Sequence, residues 1–145
     1  MGKTMYRAIG NRSGYPYPIG GIFDHISEAV HCATNYARIE ANKNANCAVH
    51  RIDASDSAAV NCAYPFASCV FKAINEFTKS ILFEIFVYPI DEKDGIYKYR
   101  GIEIRSNNLL QRFDIYIMGC FICFTTTINE ALMFIDSYRN TRLSC

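Results

Sequence analysis

At 145 residues the chain has the length of one domain and is long enough to bury a core. It is 50% hydrophobic and 14% aromatic, a composition that excludes an intrinsically disordered chain. A formal net charge of +1 excludes a global pull toward nucleic acid or an anionic membrane, so any such binding needs a local patch.

In chain order, MGKTMYRAIG carries no apolar stretch of the secretory kind, and Tyr6 stands where the myristoylation pattern wants Ser or Thr. Gly2-Lys3-Thr4 imitates the end of a phosphate-binding loop but lacks its upstream glycine and preceding strand. MYRAIG reads as a strand. RSGYPYPIGG, Arg12 to Gly21, reads as a loop or loose hairpin, since Pro16 and Pro18 lack the N–H that a central strand requires. From Asp24 to Arg38 an amphipathic helix is expected, with Ile26, Ala29, Val30, Ala33 and Ala37 on one face. Asp24 is its expected cap, and it should run to about Glu40.

CAVHRI, from Cys47, predicts a strand. In AYPFASCVFKAINEF the apolar residues Ala63, Phe66, Val70, Ile74 and Phe77 fall at helical spacing, with Pro65 tolerated in a first turn. A helix is therefore expected within 57–80, strand being the alternative. SILFEIFVY alternates, placing Ile81, Phe83, Ile85 and Val87 on one face and Glu84 on the other, as a half-buried strand does. DEKDG is a turn anchored by Asp-Gly, and IYKYRGIEIR follows as a single partner strand. After the turn SNN, FDIYIM alternates again, Gly119 breaks it, and CFICF is apolar on both faces. The last element, TTTINEALMFIDSYR, is a helix with Ile128, Ala131, Leu132, Ile135 and Tyr138 on one face and a Thr127/Glu130 capping box.

The two helices echo one another: Ile26, Glu28, Ala29 and Tyr36 align with Ile128, Glu130, Ala131 and Tyr138. MYRAIG and KYRGIEI, upstream of each, share Tyr-Arg-x-Ile. The expected architecture is thus one α+β domain over 1–145, with pseudo-repeat halves 1–52 and 81–145. An antiparallel sheet of about five to six strands should pack two or three helices on one face.

Seven cysteines without a secretory signal suit reduced, mostly buried thiols in a cytoplasmic protein. The longest apolar runs are too short to span a bilayer, so no membrane partner is expected. Cys120 and Cys123 have metal or redox spacing, but three apart on a strand they are expected to face opposite sides and cannot meet one ion without a bulge. His31, Cys32, Cys47, His50 and Cys62 form a looser set that lacks the compact spacing of structural zinc sites. Cys47 with His50 or His31 would be the candidate pair of a small enzyme. Glu84, Glu103 and Asp114 read as a solvated sheet face paired with Lys98, Arg100 or Arg105. No catalytic site, metal or cofactor is expected from these patterns.

Tyrosine and arginine carry the remaining signal. The chain holds 10 tyrosines and no tryptophan, and Ile96 to Arg112 contains four basic residues against one acidic. Tyr15 and Tyr17 on the proline-stiffened segment, with Tyr97, Tyr99, Arg100 and Arg105 on the sheet, are the expected partner-binding residues. Each is expected to be exposed, Arg100 through a bulge at Gly101. The function expected is a small non-enzymatic binding protein that occludes or recruits a protein partner. A nucleic-acid module using the basic and aromatic face is the competing class. By fold-level analogy alone, the setting is a phage or mobile-element accessory factor, such as an inhibitor of a host defence complex.

Overall fold

The computed structural model describes residues 2–53 and 66–143, and four tight turns shape what it contains. Ser13-Gly14, Asp94-Gly95, Arg100-Gly101 and Met118-Gly119 all have positive φ at both positions. That is the backbone of the two-residue hairpin turn whose twist matches its flanking strands, and it explains glycine at each second position. The turns join β1 (Lys3–Arg12) to β2 (Tyr15–Phe23), β5 (Ile81–Lys93) to β6 (Ile96–Tyr99), β6 to β7 (Ile102–Asn107), and β8 (Arg112–Ile117) to β9 (Cys120–Thr125). With β3 (Cys47–Asp53) and β4 (Cys69–Asn75) these strands form a nine-stranded antiparallel sheet. Helices α1 (Ile26–Asn42) and α2 (Ile128–Leu143) complete the described elements.

The long strand β5 organises the sheet. One of its edges pairs with β1 from Glu84 to Glu92. The other forks: residues up to Val87 pair with β4, which carries β3, and Ile90 to Lys93 pair with β6. From β6 the sheet continues through β7 and β8 to β9.

β5 is apolar on both faces, and this builds two cores. Phe83, Ile85 and Val87 join Ala8, Ile19, Cys69, Phe71 and Ala73 beneath Ala29, Ala33 and Ala37 of α1. Phe86, Tyr88 and Ile90 join Ile9, Tyr99, Ile102, Ile104 and Ile115 beneath Ala131, Leu132 and Ile135 of α2. The two helices therefore lie on opposite faces. The expectation of five to six strands with every helix on one face is corrected, because even-numbered β5 residues are as buried as odd ones. Helix α2 touches β2 at one end of the strand order and β8 and β9 at the other, so the sheet curls around it.

Two local expectations also change, and a third resolves to one of its alternatives. The segment expected as helix holds strand β4, whose Cys69, Phe71 and Ala73 enter one core while Val70 enters the other. A strand buried on both sides imitates helical spacing; residues 63–65 lie outside the described part. RSGYPYPIGG, expected as a loop or loose hairpin, is the hairpin: it holds the Ser13-Gly14 turn and most of β2, where prolines are admitted because β2 is an edge. IYKYRGIEIR is two strands around the Arg100-Gly101 turn.

The assignments of the first and last helices hold. α1 starts one residue later than expected: His25 is the capping residue, and its backbone N–H donates to the Glu28 carboxylate at 3.1 Å. In α2 the Thr127 hydroxyl accepts from the Glu130 N–H at 3.2 Å, as the capping pattern predicts. Each helix follows a β-hairpin, β1–β2 or β8–β9, and the aligned pairs Ala29/Ala131 and Ala33/Ile135 are all buried. The strand echo is different: Tyr6-Arg7 lies inside β1, whereas Tyr99-Arg100 enters a turn.

Candidate interaction surface

The six residues expected to bind a partner do not form one surface. Tyr15 is 74% exposed at the start of β2, and Tyr17 packs its ring against Tyr36 at 5.9 Å on the α1 side. Tyr97 turns to the α2 side, edge-on to Phe113. Tyr99 is fully buried and Arg100 is 5% exposed, which corrects the expectation of exposure for both. Of the four expected on β6 and β7 Arg105 lies open, and three strands separate it from β2.

Arg100 is buried because it has a partner. The backbone turns at φ 51°, and its guanidinium lies 4.3 Å from the centre of the Tyr88 ring. It reaches Asp136 of α2 at 3.1 Å; Arg7 of β1 reaches the other carboxylate oxygen, and the Tyr99 hydroxyl donates to Asp136 at 2.6 Å. This network pins α2 to β1 and to the β6–β7 turn. Burial pushes the Asp136 carboxyl upward, opposed by Arg7, by the Tyr99 hydroxyl and by Arg100. Asp136, Arg7 and Arg100 are buried, and their ion pairs anchor α2 to the sheet.

The same burial makes an alkaline prediction. Desolvation raises Tyr88 from 10.0 to about 12 and Tyr99 well above 10.0. A phenol whose folded value is raised contributes stability that is complete below its unfolded value and lost as pH climbs toward the folded one. Cooperative unfolding is therefore expected between pH 10 and about 12, seen as late tyrosinate absorbance coincident with loss of circular dichroism. Titration of all tyrosines near pH 10 with intact secondary structure would show that Tyr88 and Tyr99 are accessible.

On the side opposite α2, beyond the strands that α1 covers, β7, β8 and β9 carry no described helix and hold a different arrangement. On β7, β8 and β9, Arg105 lies 3.9 Å from the centre of the Tyr116 ring and Arg112 lies 4.3 Å from that of Phe124. Tyr116 meets Phe121 edge-on at 5.8 Å, and Arg112 also stands 5.9 Å from Phe121. These side chains share a face because the register pairs Arg105 with Asp114, Asp114 with Phe124, and Tyr116 with Phe121. The result is a ladder of arginines alternating with aromatic rings. Phe121 and Phe124 are 48% and 51% exposed.

Each arginine of the ladder has its own carboxylate: Arg105 pairs with Glu103, and Arg112 with Asp114 at 2.8 Å. Asp114 also accepts from Asn107 at 3.1 Å. Glu84 does not join them; it sits on β5 across from Lys72. The acidic residues thus neutralise the ladder instead of converging on a common point. What remains is aromatic and balanced in charge, a surface suited to burying area against another macromolecule.

No family model, curated protein or solved structure matches the chain. The ladder's chemistry is then the guide to function.

Among the described residues no three His, Cys, Asp or Glu side chains stand together as a metal-binding group. His31 lies on α1 with its ring 3.1 Å from Asn35, whereas Cys47 and His50 occupy β3 across from Asn75 and Lys72. Cys62, the last of that set, lies outside the described residues. Cys32, Cys47, Cys69, Cys120 and Cys123 are free thiols, and burial pushes Cys69 up to about 11. Cys120 is exposed, contrary to the expectation of mostly buried thiols, because β9 is an edge; the register shift between Ile115 and Tyr116 also sets Cys120 and Cys123 across from Ile117 and Ile115, on one face rather than on opposite faces as expected. The edge position is also why the sequence reading passed over Tyr116, Phe121 and Phe124. The available signal was a strand free of charge placed directly before the last helix. No helix among the described residues is long and apolar enough to cross a membrane.

Proposed function

We propose that the chain is a small, non-catalytic binding protein that occludes or recruits a protein partner through the outer face of β7, β8 and β9. One observation carries this reading: Arg105 and Arg112 stack on Tyr116 and Phe124 at 3.9 and 4.3 Å, on a face with no described helix over it. Stacked arginines and aromatic rings give large contact area at low entropic cost, as interface hot spots do. The cytoplasmic setting of a phage or mobile-element accessory factor belongs to the same proposal and rests on analogy of size and composition.

Nucleic acid is the second reading, favoured by the same alternation of arginine and ring. The carboxylates beside both arginines weigh against it, since a phosphate would have to displace Glu103 and Asp114. Alanine variants at Arg105, Phe121 and Phe124 test the proposal by titration against the partner captured from the native host. At the centre of the interface each should cost at least about 2 kcal/mol of affinity and change stability by no more than about 0.5. Tyr15→Ala tests whether the partner also reaches the β2 edge, and Phe77→Ala, on the β4–β5 turn, is the control. A protein partner predicts weak salt dependence. A steep salt slope that falls by about one for each lost arginine would assign the face to nucleic acid instead.

A further inference from the structure

We propose that β9 is a self-pairing edge, and that two copies of this chain join their β9 strands antiparallel about a twofold axis into one continuous sheet. The three open edges of the sheet differ in how they are protected. β2 carries Pro16 and Pro18 and borders a register shift between Arg7 and Ala8. β3 carries His50 and the Arg51–Asp53 ion pair. Proline and charge are the usual means of stopping a sheet edge from pairing. β9, CFICFT, has no proline and no charged residue, and its Phe121, Ile122 and Phe124 are 48%, 47% and 51% exposed. Among the described residues nothing pairs with its outer edge.

The strand's one irregularity makes it self-complementary. Residues three apart on a regular strand face opposite sides. Here a register shift falls between Ile115 and Tyr116, so that Ile115 pairs with Cys123 and Tyr116 with Phe121, leaving Ile122 as the extra residue. Phe121 and Phe124 consequently share the outer face. A twofold axis between Ile122 and Cys123 sets Phe121 of one copy beside Phe124 of the other, and Cys120 beside Thr125. Such an isologous contact requires a patch complementary to itself, a condition that an unrelated partner strand would not impose. Charge agrees: no ionised side chain lies on β9, and those of the neighbouring strand, Arg112 and Asp114, pair within their own copy. The dimer would set two Arg–aromatic ladders side by side, and its formation does not depend on what those ladders bind.

Sedimentation equilibrium of the full chain from about 1 to 100 μM, the range of weak to moderate association, is the test. The expected mass is twice the 16.5 kDa of the chain. Ile122→Lys should return it to a monomer with unchanged circular dichroism, since a lysine on an edge blocks pairing. Thr125→Cys fixes the register: with oxidised glutathione supplied as oxidant, it should link to Cys120 of the second copy and yield a covalent dimer that wild type does not form. If Ile122→Lys fails to fold, the Thr125→Cys cross-link decides alone. A monomer throughout the range would overturn the proposal. So would a dimer that Ile122→Lys leaves intact, or the absence of the Thr125→Cys cross-link.

Discussion

Asp136→Ala is expected to unfold the protein or bring it to the margin of stability. Asp136, Arg7 and Arg100 are 3%, 4% and 5% exposed, so removing the carboxylate leaves two guanidiniums buried without a counter-charge. Breaking a buried ion pair from one side costs about 3–5 kcal/mol. The total stability of a domain this size is about 5–15 kcal/mol. The Tyr99 hydroxyl loses its acceptor in the same step. Arg100 also sits in a backbone conformation that a non-glycine residue adopts at a cost, and Asp136 helps to hold it there. Urea denaturation should show the loss. Replacing Arg7, Arg100 and Asp136 together with apolar residues should recover much of it, because the penalty lies in the unpaired charges. A midpoint for Asp136→Ala equal to that of wild type would mean the network is not buried as described.

Leu132→Asp and Ile135→Asp should be comparably damaging, through a different mechanism. Both side chains are fully buried between α2 and the sheet, among Ile9, Tyr99, Ile104 and Ile115. A carboxylate there has no partner, and burying one costs several kcal/mol or forces the helix off the sheet. Asn129→Asp, one turn away and exposed, should be nearly silent and provides the control. Similar midpoints for all three would contradict the assignment of the buried face.

That face was legible before any coordinates, as were both helices, because a 3.6-residue periodicity and a capping pattern are local signals. Strands β5 and β8 were legible for the same reason. The failures share one cause: they turned on which strands are central and which are edges, a property of the whole sheet. Val70 and Phe71 of β4 enter different cores, so no single periodicity describes them. Arg100-Gly101 resembled a bulge in a long strand, and only the pairing of Tyr99 with Ile102 reveals a turn. The candidate surface was half legible. Arg105 was picked out and Arg112 noted beside it, but their ring partners lay in a segment that looked like core. Tyr99 and Arg100 were taken for surface because their partner, Asp136, comes from a helix distant in sequence.

Hydroxyl-radical footprinting of the chain, alone and with its captured partner, tests the central claim most directly, since it reads the exposure of individual aromatic side chains. Tyr116, Phe121 and Phe124 should be modified in the dissociated chain and protected in the complex, while Phe77 stays unchanged. Protection confined to Phe77 or to Tyr15, with the β8 and β9 rings still reactive, would contradict the assignment of the binding surface to β7, β8 and β9.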